Sequence, residues 1–374
     1  MDKFKLMQIL PSLQSGGVEQ GTLDLANYLA SQKIKNFIIS NGGQMLSYLD
    51  KEYVDHKKLS VHKKNFFLMP FVAKKINKLL QNYDINILHI RSRAPAWLLP
   101  YINKKNIKTV STFHNIYGNQ NLIKKMYNKQ LSNVDKIVAI SNYVKKEIVK
   151  IYDINDNKIT VINRGIDVDF LNGNINNQIN FINFLKKYNI DREKKIILFP
   201  GRLTSWKGQI EFLKVAEFFK DNPLVFYFIG DDKNKSYLKK LIKEINNRKL
   251  NFNCKILGHL NKDEIKMMIK SSHIVVSAPL KPEGFGRIIS ESLSMKKIIL
   301  AFNFGGAKDQ LSSLDDIYKI KPADYKELIS KIDIVLKYKE DHIFKMGEYA
   351  RKHIVNNFSK KNMVESYLNF YREL

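Results

Sequence analysis

The chain is short of several things, and each shortage excludes something. Cys254 is its single cysteine, so no internal disulfide and no cysteine-rich zinc site can form. That usage fits a reducing compartment, with Cys254 expected as a buried thiol in a strand. No uninterrupted apolar run approaches the ~20 residues that a membrane-spanning helix needs. The opening MDKFKLMQILPSL reads as a first core strand rather than a leader. There is no GxSxG nucleophile motif, and no His/Cys/Asp cluster has metal-ligand spacing. Acids are scarce too: 36 Asp and Glu stand against 63 Lys and Arg, a formal net charge of +27.

Such a charge leaves nucleic acid, an anionic membrane surface and anionic substrates open as partners. Lys far outnumbers Arg, and Asn and Ile abound, which is the pattern an AT-rich genome leaves. Composition alone is therefore one account of the charge; a lipid surface or a phosphate-bearing substrate is the other. With 374 residues, of which 44% are hydrophobic, the chain has the length of two or three globular domains.

Short apolar runs alternate with longer amphipathic ones. Strands are expected over 4–10, 36–40, 85–90, 108–113, 136–140 and 158–162, with a helix through residue 30 and another over 142–152. An Asn-rich stretch over 172–183 reads as a linker. Strands are then expected over 195–199, 224–229, 254–257, 274–277 and 297–302, with helices between them, and a last helix over 360–371. This alternation predicts an α/β fold of two parallel-sheet domains, in which the loops after strands carry the chemistry.

Those loops hold the unusual residues. In PEGFGRIISE, residues 282–291, Glu283 follows a strand and Glu291 lies eight residues on. On a continuous helix they would be separated by ~12 Å of rise and a quarter turn, so that each could reach a different part of one ligand. Gly284 and Gly286 allow close backbone approach, and a helix start favours phosphate oxygens. In GRLTSWKG, residues 201–208, Arg202 and Lys207 can neutralise a diphosphate leaving group. The loop SGGVEQG, residues 15–21, pairs Gly16 with Gly17 between strand and helix; it lacks the dinucleotide fingerprint and a Walker lysine, and a plain tight turn would look the same. His114 ends a strand and suits a sugar hydroxyl or a phosphate, or a structural hydrogen bond. Arg91, near His89, suits an anionic acceptor group or a surface ion pair. Asp167–Asp169 has the DxD form of a metal-holding motif but sits just before the expected linker and reads as structural. Residues 57–83 mix Lys57, Lys58, Lys63, Lys64, Lys74, Lys75 and Lys78 with Phe66, Phe67 and Phe71. This segment suits an anionic bilayer, or a core helix with a solvated lysine face.

Taken together, these motifs resemble the family 4 retaining glycosyltransferases (group 1 type, GT-B fold), over nearly the whole chain. The family's Glu-x7-Glu signature is matched by Glu283 and Glu291, and its Gly-Arg…Lys-Gly signature by Gly201, Arg202, Lys207 and Gly208. Gly16, Gly17 and His114 match its N-terminal loops, and INRGID over 162–167 its inter-domain signature. The resemblance implies two Rossmann-like domains facing a central cleft. The first, residues 1–172 with the returning helix 357–374, would take the acceptor, and the second, residues 186–356, the nucleotide-sugar donor. It also implies that Glu283 meets the donor sugar and Glu291 the ribose, with Phe285 in the same donor-binding loop. Arg202 and Lys207 would hold the diphosphate, His114 the sugar, the Gly17 backbone a phosphate or the acceptor, and the backbone near Leu260 the base. No metal and no cofactor beyond a UDP- or GDP-sugar co-substrate would be needed.

The expected function is hexose transfer to a lipid-linked or glycan acceptor in lipopolysaccharide or capsule synthesis, in the cytoplasm, with a peripheral contact to the inner membrane face. A GT-B sugar-nucleotide epimerase is the alternative enzyme. A nucleic-acid-binding protein is a remote alternative, since the special residues gather at strand ends rather than along a basic stripe.

Overall fold

The computed structural model describes residues 4–63, 65–117, 121–174 and 177–374. The chain divides into two compact units, Met1–Gly165 with Lys360–Leu374, and Ile166–Ser359.

The first unit is built on β1 (Leu6–Ile9), β2 (Asn36–Ser40), β3 (Val54–Lys58), β4 (Ile87–Ile90), β5 (Lys108–Phe113), β6 (Lys136–Ala139) and β7 (Ile159–Val161). These pair in parallel in the order β3-β2-β1-β4-β5-β6-β7. The inner strands are buried on both faces, which is why they read as continuous apolar runs. β3 escaped the sequence reading because VDHKK is polar; it is an edge strand with a single buried residue, Val54.

The helix Lys360–Arg372 completes this unit. Its Met363, Val364, Tyr367 and Tyr371 pack in one core with Phe4, Leu6, Leu25 and Leu29. A buried polar chain adds to the apolar contact. The His89 ring bonds to Tyr371 Oη at 2.6 Å through Nδ1 and to Thr112 Oγ1 at 2.8 Å through Nε2, and Thr112 Oγ1 lies 3.2 Å from Tyr367 Oη. Burial, then the nearby charges of Arg91 and His114, hold His89 well below the ordinary histidine range. His89 is thus an internal tie between sheet and helix, not a ligand group.

The second unit carries β8 (Lys195–Pro200), β9 (Leu224–Ile229), β10 (Cys254–Gly258), β11 (Ile274–Ser277), β12 (Ile298–Phe302) and β13 (Lys319–Ile320). All are parallel, in the order β10-β9-β8-β11-β12-β13. Cys254 is buried in β10, and burial pushes its thiol up to about 12. The expected linker over 172–183 is largely something else. Its residues 175 and 176 lie outside the described residues, and from Gln178 it is the helix Gln178–Lys187. Asn177 caps that helix by accepting from Asn180 N at 3.0 Å, while Phe184 and Leu185 are buried. The apolar spacing was hidden among asparagines, one of which is the cap itself.

Each sheet has one point where chain order reverses, between β1 and β4 and between β8 and β11. Ligands in open parallel sheets sit beyond the carboxyl ends of strands at such points.

Candidate active site

In the second unit the two loops flanking the β8/β11 reversal are those with the signature residues. After β8 come Gly201 and Arg202; after β11 comes the loop bearing Glu283. Lys207 Nζ donates to Glu283 Oε1 at 2.7 Å, and both side chains are largely buried. Both cations lie against Trp206: Lys207 Nζ is 4.8 Å and the Arg202 guanidinium carbon 5.7 Å from its ring centre. Arg202 is exposed. Backbone bonds stitch the loops together: Leu280 N donates to Trp206 O at 2.7 Å, Leu203 N to Asp231 O at 3.0 Å, and Gly306 N to Glu283 O at 2.8 Å. The result is one cationic pair, one carboxylate and one indole on a rigid shelf at the strand ends.

One geometric expectation fails. Glu283 and Glu291 do not share a helix, because the helix is Arg287–Ser294. Gly286 precedes it at φ +81°, a left-handed conformation that breaks the helical path and leaves Glu283 in the loop. Glu291 lies inside the helix, where its Oε1 pairs with Arg287 at 2.7 Å. Phe285 is buried and packs against Phe358, with ring centres 6.0 Å apart, so its side chain belongs to the core and only its backbone lines the loop. Leu260 is also buried, two residues past β10 and just before Asn261, which caps the helix Lys262–Ser271 in a capping box with Glu264.

Sequence reasoning missed Gln310. It is fully buried; its Oε1 accepts from Ser290 N at 3.0 Å and Ser290 Oγ at 2.5 Å, and its Nε2 donates to Phe285 O and to Gly306 O. One amide thus ties the Glu283 loop, the helix after it and the loop after β12 together. Asp167, from the DxD pattern, accepts from Phe170 N at 3.0 Å and closes a local turn.

In the first unit, Gly16 precedes the helix Gly17–Ser31. The Glu19 side chain folds back over Gly16, and burial raises its carboxyl above the usual range. An anion approaching that helix start meets Glu19 first. Arg164 reaches the same loop: it is buried, donates to the Gly17 carbonyl and lies flat against Gly21, where any side chain would strike its guanidinium. His114 follows β5 with its Nε2 buried and without a partner among the described residues. Burial first, then Arg91 and Arg164, keeps it well below the ordinary range, against a hydrogen bond to the Arg91 backbone that raises it. It is a neutral ring with one free nitrogen. Arg91 is not the surface residue its position suggested. It is fully buried, its guanidinium makes no hydrogen bond to a described residue, and it lies 5.2 Å from the Tyr367 ring centre.

Residues 15–170 match the profile of Glycosyltransferase Family 4, and residues 180–353 that of Glycosyl transferases group 1. A crystal structure of a glycosyltransferase from Rickettsia africae superposes with a TM-score of 0.89 at 34% identity, covering 100% of this chain and 99% of that one. The chain belongs to the group 1 glycosyltransferases of family 4. Its two parallel-sheet units are those of the GT-B fold. The structure of Anabaena HepE shares that fold, with a TM-score of 0.82 at 16% identity over 99% of this chain and 100% of that one. Among curated proteins, an uncharacterized glycosyltransferase of Methanocaldococcus jannaschii is 26% identical over 62% of this chain and 56% of its own length. A phosphatidylinositol N-acetylglucosaminyltransferase subunit of Saccharomyces cerevisiae is 24% identical over 65% of this chain and 54% of its own length. The glycosyltransferase thus spans about half the length of these curated relatives. Among the described residues, no helix is long and apolar enough to cross a membrane.

Proposed function

We propose that this glycosyltransferase moves a hexose, with retention, from a UDP- or GDP-sugar to a lipid-linked or polysaccharide acceptor. The observation that carries the reading is the Lys207–Glu283 pair at the β8/β11 reversal, with Arg202 beside the same indole. The two cations take the diphosphate as the anomeric C–O bond breaks, and stabilising that leaving group lowers the barrier directly. A phosphate oxygen of the leaving group accepts the acceptor's hydroxyl proton while the new glycosidic bond forms on the same face. Glu283, steadied by Lys207, accepts hydrogen bonds from sugar hydroxyls, and Glu291 from the ribose. The backbone around Gly284, Phe285 and Gly286 borders the donor, and Leu260 backbone reads the base; in the first unit, the Gly17 backbone and neutral His114 are the groups offered to sugar or acceptor.

Supporting the donor class, the Anabaena HepE structure holds UDP and glucose. Supporting a lipid acceptor, the yeast relative's name specifies phosphatidylinositol. Lipopolysaccharide or capsule assembly on the cytoplasmic side of a bacterial membrane fits both halves. The reading assigns no role to a metal, and it takes Asp167, which accepts from Phe170 N, as a structural residue.

Thermal-shift titration with UDP, GDP and ADP and their sugars tests this. A nucleotide at a hundred times its Kd stabilises by about 2.7 kcal/mol, a clear rise in melting temperature. No shift with any of them would overturn the donor reading. Turnover lost in excess chelator and restored by Mn²⁺ would overturn the metal-free one. Isomerised sugar released without any acceptor would mark an epimerase.

A further inference from the structure

The first unit carries an exposed apolar surface apart from the residues assigned to donor binding. Phe66, Phe67, Leu68 and Phe71 are exposed at the start of the helix Met69–Asn82, Phe67 at 87%. The buried residues of that helix, Met69, Ala73, Ile76 and Leu80, lie on its other side, so these rings are surplus to the core. A second segment, the helix Leu122–Lys129, exposes Leu122, Ile123 and Met126, Leu122 at 83%. Trp97 joins the two. It meets Phe66 edge-on at 5.1 Å, stacks on Tyr127 at 5.5 Å, and donates from Nε1 to Tyr127 O at 3.2 Å. Two segments far apart in sequence therefore form one apolar ridge, larger than scattered surface residues would leave.

The charge around the ridge is of one sign. Asp84 is the single acid between Asp55 and Asp135. Lys63, Lys74, Lys75, Lys78, Lys124 and Lys129 are exposed there; Lys64 lies outside the described residues. At the foot of the ridge a pocket of about 470 Å³ is lined by Lys58, Lys63 and Lys75 among Leu68, Phe71 and Val72. A protein partner is a poor fit, because lysine is depleted from the cores of protein interfaces. A bilayer accepts this combination: rings enter the acyl boundary while lysine stems run along it and carry their ammonium groups to phosphate level.

We infer that this face of the first unit docks on an anionic lipid bilayer, with the ridge inserted and headgroup phosphates meeting the lysines of the pocket. The inference deepens the acceptor half of the proposed reaction and rests on it only for its purpose.

Flotation of the full chain with phosphatidylcholine vesicles, with and without phosphatidylglycerol, tests it without turnover. Phosphatidylglycerol should raise binding on the order of tenfold or more, given the gain per lysine at a charged surface. Phe67→Ser with Phe71→Ser, and separately Leu122→Ser with Ile123→Ser, should each lower that binding roughly tenfold. Lys63→Gln with Lys75→Gln should lower the phosphatidylglycerol preference roughly tenfold and leave binding to the neutral vesicles unchanged. Nucleotide thermal shifts should be the same in all variants. Wild-type protein left in the aqueous fraction, or serine variants binding as wild type, overturns the inference. So does a dimer that the serine variants dissociate while vesicle binding is unchanged, which would make the ridge a contact between copies. Vesicle binding without any nucleotide shift would instead count against the donor reading.

Discussion

Lys207 and Glu283 belong to different loops, yet Nζ and Oε1 are 2.7 Å apart and form one partly buried ion pair. Each holds the other in place, so they are expected to fail as a unit. Lys207→Met and Glu283→Gln should each lower kcat by roughly 10²–10³, the range for losing one group aimed at transition-state charge. The double variant should fall little below the worse single, because residues that act together are non-additive. Measured nucleoside-diphosphate release with fully multiplicative losses would show that the pair has no joint role. Arg202→Ala, which breaks no ion pair described here, should weaken nucleotide binding without lowering the melting temperature.

Gln310 makes a different prediction because it touches no substrate position. Gln310→Ala leaves Ser290, Phe285 and Gly306 groups unsatisfied in the interior, at a cost of about 2–4 kcal/mol. A fall in melting temperature of about 5–10 °C follows for a unit of this size. Turnover by the surviving folded protein should fall as well, as the Glu283 loop loosens. A variant melting like wild type would show that the loop is held by other means.

The glycines of the first loop separate packing from chemistry. Gly17→Ala meets nothing within 4 Å and should fold normally. Gly21→Ala drives a methyl into the Arg164 guanidinium and should cost about 1–3 kcal/mol, as overpacking does. If Gly17→Ala also halts transfer while its melting curve is unchanged, the Gly17 surface faces a substrate. Equal melting of both variants would refute the Arg164 packing.

Stability should depend on pH through the buried histidines. His89 and His114 are both held well below the ordinary range, so the folded chain keeps them neutral while the unfolded chain protonates them near 6.5. Neither contributes a pH dependence well above that value. As pH falls below it, each costs up to about 1.4 kcal/mol per pH unit until its folded value is reached. Melting temperatures should be level above about pH 7 and fall steeply toward about pH 5.5. A flat profile across that range would show that the folded chain takes up protons at these rings as readily as the unfolded one.

Apart from the edge strands β3 and β13, the strands of both sheets were legible because strands buried on both faces are runs rich in apolar residues. The signature loops were legible because glycines and cations interrupt those runs at their carboxyl ends. Three things were not. The start of the helix Arg287–Ser294 hangs on the left-handed Gly286, and nothing in GFGR dictates which glycine takes that conformation. Gln310 works through contacts 20 and 25 residues away in sequence, which no local pattern carries. Arg91 looked like a surface cation because its strand ends there; only the helix Lys360–Arg372, which brings Tyr367 over it, makes it an interior one.

That same helix fixes an order of events during synthesis. The second unit, Ile166–Ser359, is one unbroken run and is complete before Lys360–Leu374 is made. The first begins the chain but needs Lys360–Leu374 to cover Phe4, Leu25 and Leu29. On the ribosome the earlier-made unit is therefore the later to finish, and it waits with an apolar flank open until Lys360–Leu374 emerges. That interval is when a chaperone has something to hold.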